Sequence, residues 1–158
     1  MDLPLFEALN QAIVPAAGPG VASHGILVFV LAPDELLPTV RQLRDVYGFD
    51  IFLDVTAVDW IGQDPRFEVV HHFYSTVHKA RVRLKLRVPE SDPSVDSLVP
   101  LYGSAAFMER ECHDMYGIRF RGNADLRPIL LYEGFVGHPL RKDYPKHREQ
   151  PLVPYRDA

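Results

Sequence analysis

Apolar residues recur along this chain first with a helical period, then with a period of two, and finally without a regular period. Leu5, Leu9 and Ile13 stand at i, i+4 and i+8 over residues 5–14, which predicts a short first helix. Pro15, Gly18, Pro19 and Gly20 are expected to break it. The branched run from Ile26 to Leu31 predicts a buried strand, with residues 21–23 pairing to it across Gly25 as a weak hairpin. Pro33 is placed to open a second helix, with Asp34 and Glu35 in the first turn where negative charge complements the helix dipole. Leu36, Val40, Leu43 and Tyr47 make its apolar face, and Gly48 is its expected stop. Pro38 disfavours helical geometry at Leu37, so the regular helix is expected to start only at that point.

Three strands follow. Residues 51–60 put Ile51, Leu53, Val55 and Ala57 on one face. Residues 67–76 are rich in strand formers and follow a turn at 62–65. Residues 81–88 alternate without a fault: Val82, Leu84, Leu86 and Val88 inward, Arg81, Arg83, Lys85 and Arg87 outward. One dry face and one wet face, with connections too short for parallel crossovers, predict antiparallel pairing.

After Pro89 and Pro93 the pattern turns helical again, with a short piece over 95–102 and a longer helix over 105–116, capped by Ser104 and ended by Gly117. From residue 118 the patterns fade. Pro128, Pro139, Pro145, Pro151 and Pro154 punctuate an extended stretch of about forty residues, far beyond an ordinary loop. Its Phe120, Leu126, Ile129, Leu130, Leu131, Tyr132, Phe135, Leu140 and Tyr144 argue that it is laid along another surface. The expected organisation is a compact α+β domain over 1–117, helices on one antiparallel or mixed sheet, and an extended partner-docking tail over 118–158.

Composition narrows the chemistry. Of 158 residues, 47% are hydrophobic and 24% charged, as in a folded globular chain. A net charge of -4 argues against nucleic acid as the partner. The outward row Arg81–Arg83–Lys85–Arg87 carries no aromatic side chain on which bases would stack, which weakens a free-standing RNA-binding domain. The single cysteine, Cys112, excludes an intrachain disulfide and fits a reducing compartment. No signal peptide is expected from the N-terminal residues, and the longest apolar run, 25–32, is too short to span a bilayer. His71 and His72 are adjacent on a strand and point to opposite faces, so they do not chelate together. Cys112–His113 lacks a second ligand pair at zinc spacing, and Cys112 sits on an apolar helix stripe where a thiol is packing rather than a nucleophile. A small hydrolase fails for want of a nucleophile–base pair, and no dinucleotide or phosphate-loop motif is present.

Two charged runs stand out. On the helix 105–116, Ala105, Met108, Cys112, Met115 and Tyr116 form one apolar stripe. Glu109 and Glu111 border it on either side, and Arg110 and Asp114 share the opposite face. The plain reading is an amphipathic helix with solvated charges; the sharper one is that the flanking glutamates pair with basic groups of a partner. The second run, Gly137–His138–Pro139–Leu140–Arg141–Lys142–Asp143–Tyr144–Pro145, holds a charged triplet in a segment stiffened by proline. Arg141 is expected to grip a carboxylate across a subunit boundary with its bidentate fork.

These runs, with Asp125–Leu126–Arg127 and Ile129–Leu130 between them, resemble the signature of the hydrophilic thirty-kilodalton-type subunit of respiratory NADH–quinone oxidoreductase (complex I). The strand residues Phe52 to Trp60 resemble the same family upstream. The chain departs from it in carrying Gly122–Asn123–Ala124 where the family usually reads Gly–His–Pro, and His113 where an aromatic residue is common. The resemblance implies a two-layer α+β subunit of the peripheral arm, non-catalytic itself, with no cofactor of its own. FMN and iron–sulfur clusters would lie in partner subunits of a proton-translocating NADH dehydrogenase of the respiratory chain. It implies a docking role toward the other hydrophilic subunits, above all the quinone-site subunit. The implied interface residues are Glu109, Arg110, Glu111, Asp114, Tyr116, His138, Leu140, Arg141, Lys142, Asp143 and Tyr144. It places the chain on the cytoplasmic side of the cell membrane, peripheral through the complex and without a span of its own. The nearest rival is the equivalent subunit of a ferredoxin-linked dehydrogenase or membrane-bound hydrogenase.

Overall fold

A computed structural model of the chain describes residues 3–17 and 20–147. The breaks expected at Gly18 and Pro19, and the prolines at 151 and 154, lie outside the described residues. Helix α1 (Leu3–Ala17) buries Leu5, Leu9 and Ile13, the series read from the sequence. It continues past Pro15, whose fixed φ is helical and whose missing N–H removes only one hydrogen bond near the helix end. Strands β1 (Val21–Ser23) and β2 (Ile26–Leu31) form the expected hairpin. Its two-residue loop has His24 at φ 51° and Gly25 at φ 78°, the positive pair that matches strand twist. A single 3-10 turn (Pro33–Glu35) leads into helix α2 (Leu36–Asp45). Pro38 falls in the first turn of α2, where its missing donor has no helical partner to lose, so the helix starts two residues before it.

Strands β3 (Ile51–Asp59), β4 (Phe67–Ser75) and β5 (Ala80–Val88) complete a sheet of order β1-β2-β5-β4-β3. All neighbours are antiparallel except β2 and β5, which run parallel, so the sheet is mixed. The fault-free alternation of β5 holds: Val82, Leu84, Leu86 and Val88 are buried. The face expected for β3 does not hold at its start. Ile51 and Leu53 are 40% and 37% exposed, and Phe52 is buried with Val55 and Ala57. The cause is a bulge. Phe52 pairs with Phe73 but Asp54 pairs with His72, so Leu53 is the extra residue and the pleat shifts by one.

The short helix expected over 95–102 is also absent. Strand β6 (Ser94–Asp96) pairs in parallel with β7 (Arg119–Arg121), and only one turn follows, closed onto the Leu98 carbonyl by Leu101 and Tyr102. Pro100 sits inside that turn and cannot donate to a longer helix. Helix α3 (Ala105–Tyr116) has the predicted bounds, ends at Gly117 with φ 74°, and packs along β3. Ser104 precedes it but makes no side-chain cap. The three helices packed on the five-stranded mixed sheet make an α+β fold, as expected. Tyr102 ties the layers together: its ring stacks on Phe52 and its hydroxyl donates to the Phe49 carbonyl at 2.6 Å. The stretch expected to be extended from residue 118 begins in this same core, since Ile118 and Phe120 are buried in it.

The face assignment predicts unequal costs for similar truncations. Leu84→Ala is expected to destabilise by about 2–5 kcal/mol and Leu53→Ala by less than about 1 kcal/mol. Urea melts of the two variants check it, and equal losses would contradict the bulge.

Candidate functional site

Helix α3 ends among residues of the C-terminal stretch, and the two exchange hydrogen bonds. The last four carbonyls of a helix have no intrahelical donor. The C-cap Gly117 N closes the last helical bond on His113 O at 2.7 Å, and the next three carbonyls take donors from the C-terminal stretch: Asp114 O from His138 Nδ1 at 2.9 Å, Met115 O from Leu140 N at 3.1 Å, and Tyr116 O from Arg141 Nε at 2.6 Å. Because Nδ1 of His138 faces a carbonyl, that nitrogen carries the proton. Burial, the largest influence, pulls the His138 pKa below its ordinary value. The Arg141 cation at the helix C-terminus also opposes the dipole. Gly117 makes room for this cap. A Cβ there would lie 2.5 Å from His138 Nε2 and 2.6 Å from Arg141 Nη2.

The helix returns the exchange through its acid. Asp114 is buried, and its Oδ2 accepts the backbone N–H groups of Ile129, Leu130 and Leu131 at 2.8, 2.9 and 3.3 Å. Arg110, one turn earlier, donates to the carbonyls of Arg127 and Pro128, both at 2.8 Å. The i, i+4 pair read from the sequence therefore grips the tail rather than solvent. Glu109 is not at the edge of the apolar stripe but fully buried. Its carboxylate accepts from Leu98 N at 2.7 Å, Ser97 Oγ at 2.8 Å and Asn123 Nδ2 at 2.9 Å, all within the chain. Burial raises its pKa and these donors oppose the rise. Asn123 thus has a definite task at the position where the resembling family usually carries histidine.

A second junction joins the tail to the sheet. Arg66 and Asp59, 5% and 3% exposed, pair in a fork: Nε to Oδ1 at 2.9 Å and Nη2 to Oδ2 at 2.8 Å. Arg66 Nη1 also reaches Glu90 at 2.5 Å and Asp143 at 3.0 Å. The Lys142 backbone N–H closes the junction on Asp59 Oδ2 at 2.8 Å. The guanidiniums of Arg66 and Arg141 both lie 5.0 Å from the centroid of the buried Phe67 ring. Arg66 holds the pKa values of Asp59 and Asp143 below the ordinary carboxylate range.

Of the residues expected at an interface, Glu109, Asp114, Arg110, His138 and Arg141 make the internal bonds above. Arg141 in particular, expected to bond across a boundary, caps this chain's own helix through Nε. Tyr116 is half-buried, and burial raises its pKa. Tyr144 stacks on Phe135 at 6.1 Å. Glu111, Leu140 and Lys142 are exposed, and Asp143 is exposed while bound to Arg66. Sequence reasoning missed Arg66, Phe67 and Asn123 as parts of the site. The available signal was Arg66 set directly before Phe67, at the point where the polar turn 62–65 gives way to a strand of strand-forming residues. Among the described residues, no group of three or more His, Cys, Asp or Glu side chains is placed to hold a metal ion.

The family model described as "Respiratory-chain NADH dehydrogenase, 30 Kd subunit" matches residues 29–150, most of the chain and the whole of the site. This chain belongs to that family. Its counterpart in the NADH-quinone oxidoreductase of Citrifermentans bemidjiense is 45% identical over 122 residues, 77% of this chain and 76% of that protein. The counterpart in Agrobacterium fabrum is 43% identical over 150 residues, covering 89% and 74%. Two solved structures share the fold. The trypsin-resistant fragment 1–134 of Nqo5 superposes with a TM-score of 0.67 at 27% identity, over 78% of this chain and 98% of the fragment. A chain of the membrane-bound sulfane sulfur reductase, an archaeal respiratory membrane complex, superposes with a TM-score of 0.79 at 25% identity, over 92% and 86%. The 30 kDa-type chain described here is accordingly a subunit of NADH–quinone oxidoreductase, an enzyme complex. Among its described residues no helix is long and apolar enough to cross a membrane.

Two predictions come from the junctions. Arg141→Ala is expected to lower the stability of the isolated chain by about 1.5–3 kcal/mol, the range for a hydrogen bond from a charged donor. An unchanged melting temperature would show that the cap carries no weight. The second concerns acid. Asp59 and Asp143 have folded pKa values below their unfolded ones, so their stabilisation is complete above the unfolded value, about pH 4, and is lost as pH falls through the folded values. Stability measured by urea melts should therefore fall below about pH 4, and more gently in Asp59→Asn than in the parent.

Proposed function

We propose that this chain is a non-catalytic docking subunit of the peripheral arm of a proton-translocating NADH:quinone oxidoreductase, on the cytoplasmic side of the membrane. In that role it holds together the subunits that carry electrons from NADH through FMN and iron–sulfur clusters to quinone, and the quinone-site subunit is its principal neighbour. The observation that carries the reading is the C-terminal stretch. It is fastened to α3 and β3 by the backbone amides of residues 129–131, 140 and 142 and by the side chains of His138 and Arg141, while Leu130, Val136 and Leu140 remain 61%, 57% and 52% exposed. An irregular segment held this firmly, yet turning large apolar side chains outward, suits an interface. The ionisable groups support the absence of chemistry. Cys112 is buried with its pKa pushed up, and His71 is buried with its pKa pushed down to about 3, so both stay neutral at pH 7.

A second reading has one observation in its favour. The likeness to a chain of the sulfane sulfur reductase, an archaeal respiratory membrane complex, runs over 92% of this chain with a TM-score of 0.79. It supports the equivalent subunit of a related membrane complex, such as a ferredoxin-linked dehydrogenase or a membrane-bound hydrogenase.

Purification of the native complex through a tag on this chain separates the readings. Co-purifying flavin and iron–sulfur subunits with NADH-driven quinone reduction are the expected result. Reduction driven by another donor only would favour the second reading. The isolated chain is expected to show no visible absorption band, and a chromophore or stoichiometric iron in it would overturn the non-catalytic role.

A further inference from the structure

We propose that the groove bordered by Pro139, Arg141, Lys142, Tyr144, Pro145 and Lys146 receives an acidic segment of a neighbouring polypeptide that also carries an apolar side chain. The inference deepens the docking role proposed above and rests on it. The groove is open and holds about 420 Å³. Three of its six bordering residues are cations and none is an acid. Asp143, which interrupts the run in sequence, turns to Arg66 Nη2 at 3.0 Å, and Asp59 is held by the same guanidinium. Both of these carboxylates are therefore already paired with Arg66. Lys146 is exposed and makes no hydrogen bond or ion pair among the described residues. The other borders are two prolines and the Tyr144 ring, an apolar floor with little rotamer freedom to lose. Arg141 is fixed by the Tyr116 carbonyl and the Phe67 ring, so its charge is presented without reorganisation.

Charge selects the occupant. The chain's own residues 148–158 set Arg148 and Arg156 against Glu149 and Asp157, a side-chain charge of zero that three cations have no reason to prefer. A lipid surface is read by larger clusters, roughly four to eight Lys and Arg residues. A carboxylate-rich stretch of protein with one side chain for the proline–tyrosine floor matches both the sign and the shape.

The test uses the assembled complex with the full chain, wild type, Lys146→Glu or the milder Lys146→Gln. Carbodiimide joins lysine amines directly to carboxylates in contact. The expected product is Lys146 or Lys142 linked to Asp or Glu of another subunit, within a segment of net negative charge. Release of the chain from the tagged complex by salt is the second readout. Lys146→Glu should lower the salt concentration for half-release by at least about twofold, with Lys146→Gln between it and wild type, because contacts between exposed charges are screened by ions. A cross-link only to Glu149 or Asp157 of the same chain, a cross-link to no other subunit, or equal release of all three proteins would overturn the groove assignment and leave the docking role standing. Failure of the wild-type chain to co-purify with any other subunit would remove both.

Discussion

A helix that stops inside a protein leaves carbonyls that must find donors, and an irregular segment leaves N–H groups that must find acceptors. In this chain each need answers the other. The terminal carbonyls of α3 take donors from His138, Leu140 and Arg141, and the amides of residues 129–131 take an acceptor from Asp114 on the same helix. Neither half is stable in a dry setting without the other, because an unsatisfied buried polar group costs about 1–3 kcal/mol. Gly117 is what lets the halves approach. With φ 74° it turns the chain off the helix axis, and with no side chain it leaves the space that His138 and Arg141 occupy.

The same logic explains where the chain buries charge. Glu109, Asp114 and Asp59 are all shielded from water, and each accepts backbone N–H groups from a stretch with no regular partner: Leu98, residues 129–131, and Lys142. A carboxylate is acceptor-only and offers several lone pairs, so one side chain serves two or three donors that a sheet would otherwise have to pair. The cost depends on whether a cation is present. Asp59 has Arg66, and its pKa falls; Glu109 has only neutral donors, and its pKa rises. Asp59 therefore adds to stability as pH rises through the carboxylate range, whereas Glu109 subtracts from it. Glu109 is retained at that cost because Ser97, Leu98 and Asn123 have no other acceptor in its place, so it fixes the β6 turn against the start of the tail.

Local signals were legible in the sequence, and distant ones were not. The alternation of β5, the bounds of α3 and the helical series of α1 each rest on residues a few positions apart. The bulge at Leu53 was hidden because an inserted residue leaves the composition of a strand unchanged while inverting its faces. The segment 95–102 is apolar enough for a helix or a strand, and its pairing partner, β7, lies more than twenty residues away. The site shows the same division. The two charged runs are visible as runs, and the structure brings them together at the end of α3. Their direction was not legible, since Arg66 and Asp143 are 77 positions apart and Asp59 and Lys142 are 83 apart. Charge beside aromatic and proline residues is the pattern of a partner-facing patch, and equally of a tail fastened to its own domain.

Fastening and docking are not alternatives for this tail. The domain holds this tail at the amides of residues 129–131, 140 and 142 and at the side chains of His138 and Arg141, so a partner finds side chains already in place rather than a free strand edge seeking a ladder. That limits recognition to shape and charge: Leu130, Val136 and Leu140 on one hand, the cations beside Tyr144 on the other. It also sets the thermodynamics of assembly. An unanchored stretch of this length would lose on the order of 1–2 kcal/mol of backbone entropy per residue on docking. Here much of that ordering has been done in folding, by contacts within the chain. A segment ordered before it meets its neighbour gains affinity by reducing the cost of binding, and needs no added contact for it.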